Sequence, residues 1–180
     1  MTTRVTLSDP ATMTTDEAAV YERFQSNLTR ALLLTAGSAA PHLALGASFT
    51  VGALDIVDRE VIVLRVAHLL DSDFEKMLHY PLARGAGLTD TDISDIETAA
   101  LDRLEPRRAA IVDYVTDCTV DHKASDRTFW KLREFLSERE IADATHLAGH
   151  CAMTAMYLAS LDIPLDTTDT SWGRLTELQS

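Results

Sequence analysis

Helix-start signals recur through this chain at intervals that leave no room for a sheet. Asp58 precedes an apolar-faced run, Ser72 or Asp73 precedes another, Thr89 stands three before Asp92 at the start of a third, Pro106 opens a fourth and Ser125 a fifth. Ser, Thr and Asp satisfy the free N–H groups of a first helical turn, and proline fits its first position. No segment alternates apolar and polar residues with period two between hairpin turns. The expectation is an all-α, single-domain helical bundle over residues 1–180, with about seven or eight helices.

The boundaries follow from punctuation. Val20, Phe24, Leu28, Ala31 and Leu32 make one helical stripe, ended by Ser38-Ala39-Ala40-Pro41; a short helix then reaches Val51. Asp58 is expected to cap the helix that ends near Leu70, and Ser72 or Asp73 the next, kinked at Pro81 with Gly85 and Gly87 at its end. Helices from Thr89 to Leu101, from Pro106, from Ser125 and on to Pro164 complete the set. Trp130, Phe129 and Phe135 read as core, and Met153, Met156 and Tyr157 as a packing face. Residues 1–12 and 167–180, the latter with Trp172, read as loose or subunit-docking ends.

Composition narrows the partners. Sixteen basic residues against 28 acidic ones leave a net charge of −12, so nucleic acid and anionic lipid are not expected to bind. Ala31–Leu54 and Ala144–Leu161 lack Asp, Glu, Lys and Arg. Both contain His, and the first is broken by Pro41 and three glycines, so they read as buried helices and not as membrane spans. Cys118 and Cys151 form no CxxC pair, which fits a reducing cytoplasm; the N-terminus lacks the apolar centre of a signal peptide. No flavin, haem or other cofactor is expected.

Chemistry concentrates in one window, where Glu60, Ser72, Glu75 and His79 are separated by twelve, three and four positions. Glu75 and His79 share a helix face one turn apart, a spacing that lets a carboxylate hold an imidazole tautomer or trade a proton with it. If Glu60 reaches the same spot from the preceding helix, two carboxylates meet one imidazole, and burial raises the carboxyl pKa values. The plainer alternative is a solvated Glu–His pair of the kind helices carry often. Arg65, or less readily Lys76, is a candidate to receive a substrate carboxylate. His68, two turns beyond Glu60, is a secondary candidate. His146 and His150 repeat the i, i+4 spacing and with Glu75 and His79 suggest a metal site as the alternative chemistry. Ring nitrogens satisfied inside an apolar helix are the more ordinary reading, and no metal is assigned.

The run from Asp58 to Ile93, DREVIVLRVAHLLDSDFEKMLHYPLARGAGLTDTDI, resembles the carboxymuconolactone decarboxylase and alkylhydroperoxidase D-like superfamily. There a Glu-bearing helix leads to a helix with a terminal His and a Gly-Leu-Thr-acidic turn. The later helices look similar too, so the resemblance covers residues 20–166. In the peroxidase branch the motif holds cysteines where this chain has Ser72 and Glu75. With neither thiol, thiol peroxidase chemistry is not expected. Another branch carries Tyr-Glu-Trp before the His; here the segment is Phe74-Glu75-Lys76.

What the resemblance implies is a cofactor-free lyase, isomerase or cyclase working by proton transfer on a small organic acid, lactone or related carbonyl compound. His79 would be the acid or base, Glu75 its orienting group and Glu60 a second proton carrier or substrate ligand. Ser72, Phe74, Arg65, His68 and His150 would line the pocket, His150 because the family places a polar residue there on its last helix. A homo-oligomer, a trimer or a multiple of it, is implied as well. The competing classes are a non-catalytic oligomeric scaffold with a decayed site and a metal-dependent hydrolase or oxygenase.

Overall fold

A computed structural model describes residues 3–166, and among them all regular structure is helical. The α-helices are α1 (Thr15–Arg23), α2 (Asn27–Leu32), α3 (Ala39–Ser48), α4 (Ile56–Leu69), α5 (Asp73–Gly85), α6 (Asp90–Thr98), α7 (Pro106–Val120), α8 (Asp126–Leu132) and α9 (Glu138–Ser160). The all-α class holds. There is one helix more than expected because the first stripe is two helices: Phe24 leaves helical conformation, and Ser26 caps α2 by accepting from Thr29 N.

Most starts use the residues the sequence offers. Thr14 with Glu17 and Thr89 with Asp92 form capping boxes, Ser72 and Ser125 cap α5 and α8, and Pro106 opens α7. For α4 the cap is Asp55, whose side chain accepts from Asp58 N. Asp58 itself is buried in the first turn and engaged elsewhere: Arg107 Nε and Nη2 donate to its Oδ2 at 2.9 and 2.6 Å. Arg107 also reaches Glu140 and the Phe135 carbonyl, so one guanidinium ties α7 to the starts of α4 and α9.

The described residues fall into two compact units, 3–47 with 157–166 and 48–156. In the first, Leu28, Ala31 and Leu32 are buried on α2, and Tyr157 Oη donates to the Ala31 carbonyl at 2.8 Å. Near its N-terminal end Arg4 pairs with Asp162 at 2.6 Å and Arg30 Nε donates to the Ser8 carbonyl. The expected role of 167–180 and Trp172 lies outside the described residues.

In the second unit α4 is the centre, packed against α5, α6 and α7. Val61, Ile62, Leu64 and Val66 are wholly buried, as are Ile96 of α6 and Ile111, Val112 and Val115 of α7. Each such side chain contributes roughly 1.5–3 kcal/mol when removed from water. Three residues expected to pack face out instead. Trp130 is 64% exposed because α8 is one short helix whose inward positions, four apart, are taken by Thr128 and Leu132. Met156, 65% exposed, and Met153 stand on the outer side of α9, opposite the stripe of Ile141, Ala144, Ala148, Cys151 and Ala155. Among the described residues no helix is long and apolar enough to cross a membrane.

Candidate acid–base site

The corner between α4 and α5 sets the site. Asp71 adopts a left-handed conformation, φ 48°, with Asp71 N bonded to the His68 carbonyl and Ser72 N to the Ala67 carbonyl. This is a Schellman ending, which satisfies the last carbonyls of a helix in the fewest residues. Ser72 at once caps α5, its Oγ accepting from Glu75 N at 3.4 Å. The far end of α5 closes the same way, with Gly87 at φ 97°. Helix α5 runs unbroken from Asp73 to Gly85 through Pro81. Next to His79, Tyr80 Oη donates to Glu97 Oε1 of α6 at 2.5 Å, which fixes that turn of α5.

Chain reversal brings Glu60 of α4 and Glu75 and His79 of α5 together. His79 Nδ1 lies 2.7 Å from Glu60 Oε2, and His79 Nε2 lies 3.5 Å from Glu75 Oε2. Glu60 is 1% and Glu75 5% exposed, whereas the His79 side chain retains 18% exposure. A carboxylate only accepts, so Nδ1–H donates to Glu60, and Nε2 is the nitrogen left to take a proton. Burial alone would strip the charge from His79, but the hydrogen bond and charge of Glu60, reinforced by Glu75, raise its pKa above the ordinary histidine value. Burial raises the Glu75 pKa; the His79 charge opposes this and the Glu60 charge adds to it. The cluster thus holds a charge-favoured imidazole beside a carboxyl that favours its neutral acid form.

The remaining candidates separate. Ser72 and Phe74 are buried at the start of α5, next to Glu75, and Ser72 serves as the cap. Arg65 does not join the cluster: Nε donates to Thr116 Oγ1 at 2.9 Å and Nη1 to the Glu97 carbonyl, so it braces α4 against α7 and α6. His68 is exposed in the last turn of α4, and Lys76 pairs with Asp71 at 2.8 Å. His150 and His146 flank Phe49, with ring centroids 5.7 and 5.3 Å away. Among the described residues no three His, Cys, Asp or Glu side chains group as a metal would require.

Two neighbours were missed in the sequence. Arg59 Nη2 stands 3.8 Å from Glu60 Oε1, and its Nη1 donates to the Phe49 carbonyl at 3.3 Å. Cys151 of α9 is buried close enough for the carboxylates to act on it; burial first, then the charges of Glu75 and Glu60, push its thiol well above the ordinary value. It keeps its proton. Adjacency to Glu60 marked Arg59, but nothing in the spacing marked Cys151.

Residues 38–116 match the carboxymuconolactone decarboxylase family. No curated protein shows significant sequence similarity to the chain. Among solved structures, an uncharacterized peroxidase-related protein from Ralstonia eutropha JMP134, with an alkylhydroperoxidase AhpD core, superposes with a TM-score of 0.75 at 15% identity, covering 92% of this chain and 93% of that one. An uncharacterized peroxidase-related protein from Silicibacter sp. TM1040 gives 0.73 at 15% identity, covering 92% of each. A protein of unknown function from Agrobacterium tumefaciens gives 0.67 at 18% identity, covering 73% of this chain and 92% of that one. At such identities the shared property is the fold.

Proposed function

We propose, from the match of residues 38–116 to the carboxymuconolactone decarboxylase family, that this chain is a cofactor-free acid–base enzyme acting on a small organic acid, lactone or related carbonyl compound. One observation carries the reading: a single imidazole held between two buried carboxyl groups, at 2.7 Å on Nδ1 and 3.5 Å on Nε2. In this role His79 Nε2 takes a proton from the carbon next to a carbonyl, and Glu60 stabilises the imidazolium that forms. Glu75, whose burial favours the neutral acid, returns a proton to the electron-rich oxygen or carbon. For a decarboxylation the carbon–carboxyl bond breaks instead, its electron pair stays on carbon as an enolate, and the same acid protonates it. Positioned proton transfer of this kind accounts for about 10²–10⁴-fold in rate per group.

The reading also fits what stands at the two positions that hold cysteines in the peroxidase branch. Ser72 caps a helix, Glu75 faces His79, and the Cys151 thiol nearby is held protonated. None of these supplies a thiolate. The test is deuterium incorporation from D₂O, and release of carbon dioxide, over a panel of γ-lactone carboxylates and β-keto acids. Exchange or release by the wild-type protein, lost in both Glu75→Gln and His79→Ala while the helical signal persists, is the expected result. Turnover indifferent to both changes, or absent throughout, sinks the proposal and favours a non-catalytic binding protein.

A further inference from the structure

The acid–base reading leaves open how a substrate is held, and the inference here rests on that reading. Arg59 is the one cation in contact with Glu60 besides His79 among the described residues. Its side chain is 11% exposed. A guanidinium has five N–H donors, and among the described residues this one uses a single hydrogen bond, the 3.3 Å contact to the Phe49 carbonyl. Its approach to Glu60, 3.8 Å, is an ion-pair distance too long for a hydrogen bond. Other arginines of this unit are committed: Arg65 to Thr116 and Glu97, Arg107 to Asp58, Glu140 and Phe135, Arg108 to Asp92. The 11% of the Arg59 side chain that stays open to solvent leaves it less enclosed than Glu60, at 1%.

The order of charged groups is Arg59, Glu60, His79, Glu75, positive and negative in turn when all are ionised. Four groups of alternating sign close their own charge balance, yet only the Arg59 end keeps donors unspent. Carboxylates favour such a fork, because two parallel N–H donors match two oxygens. We propose that Arg59 receives the carboxylate of the substrate, which makes the substrate class an oxo acid or lactone acid and not a neutral lactone or ketone. Anchored there, the acid lies alongside the Glu60–His79 pair, so the reacting carbon is one close to the carboxylate. Arg59 is a specificity-determining residue and moves no proton.

The probes are 4-oxopentanoate and its methyl ester, titrated at millimolar concentration into the full-length protein while His79 ring signals are followed by NMR. The wild type binds the acid about 10–100-fold more tightly than the ester, the worth of a charge-assisted pair. Arg59→Gln removes that preference, and Arg59→Lys, which keeps the charge without the fork, retains part of it. Arg84→Gln, which removes an exposed arginine paired with Asp90, retains it fully. An acid preference unchanged in Arg59→Gln, or a wild type that does not bind the acid or prefers the ester, overturns the assignment. The acid–base reading fails separately: if Arg59 governs the preference but no deuterium exchange depends on His79 and Glu75, the anion seat stands and the chemistry falls.

Discussion

Glu60 Oε2 and His79 Nδ1 lie 2.7 Å apart across nineteen positions of sequence, and the bond runs from one helix of a tight hairpin to the other. Glu60→Gln keeps an acceptor near Nδ1 but removes the charge that favours the protonated imidazole. The His79 pKa therefore falls in this variant, toward or below the ordinary histidine value. A pH titration of the ring by NMR reads it directly, and an unchanged midpoint refutes the coupling.

The pH dependence of stability follows with a definite sign. The His79 pKa is raised on folding, so its stabilisation is complete below the unfolded value near 6.5 and is lost as pH rises through the folded value. The raised Glu75 pKa acts in the same direction, since the neutral carboxyl is the form the fold prefers. Each unit of difference is worth about 1.4 kcal/mol. The excess stability of the wild type over His79→Gln should shrink as pH rises above 6.5, and Glu75→Gln should flatten the wild-type decline that begins near 4.5. Urea midpoints followed against pH check both.

Arg65 and Arg59 carry the same charge on the same helix and do different work. Arg65→Ala leaves the Glu97 carbonyl and Thr116 without their donor, and costs about 2–4 kcal/mol in urea denaturation. The His79 titration stays where it was. A large shift of that midpoint would place Arg65 in the site after all.

Ala99 ends α6 at φ 53°, a conformation that crowds any Cβ. Ala99→Gly should stabilise the protein by about 0.5–1 kcal/mol, because the strain relieved exceeds the flexibility added to the unfolded chain. Denaturant midpoints at constant slope decide it.

Gly52 is needed for space, not for backbone freedom. A Cβ there would stand 2.7 Å from Asp143 Oδ2, which accepts from Ala53 N at 2.6 Å. Gly52→Ala should cost about 1–2 kcal/mol, and most of that cost should vanish in an Asp143→Ala background. An additive double mutant would show that the crowding lies elsewhere.

Cap chemistry made the helices legible: Ser72, Thr89, Pro106 and Ser125 each begin the element that its type suggests. Asp58 misled because a buried acid can serve a distant arginine as well as a local amide, and only the fold brings Arg107 to it. The Glu75–His79 pair was readable as one helical turn, and Glu60 as its partner once a short reversal was assumed. Arg59 is not legible there because helical rotation alone does not tell which of two arginines, one position before Glu60 or five after it, turns toward the partner helix. Cys151 was invisible for a stronger reason, since 72 positions of chain separate it from residue 79.

The corner at Leu70, Asp71 and Ser72 is shared property of two helices, ending one while it starts the next. It has no slack. An extra residue there would have to be absorbed by unwinding one helix end, and each residue moved along a helix swings its side chain by about 100°. The interval from Glu60 to His79 is therefore a fixed dimension of the protein, as binding on mutational drift as the identity of the two side chains.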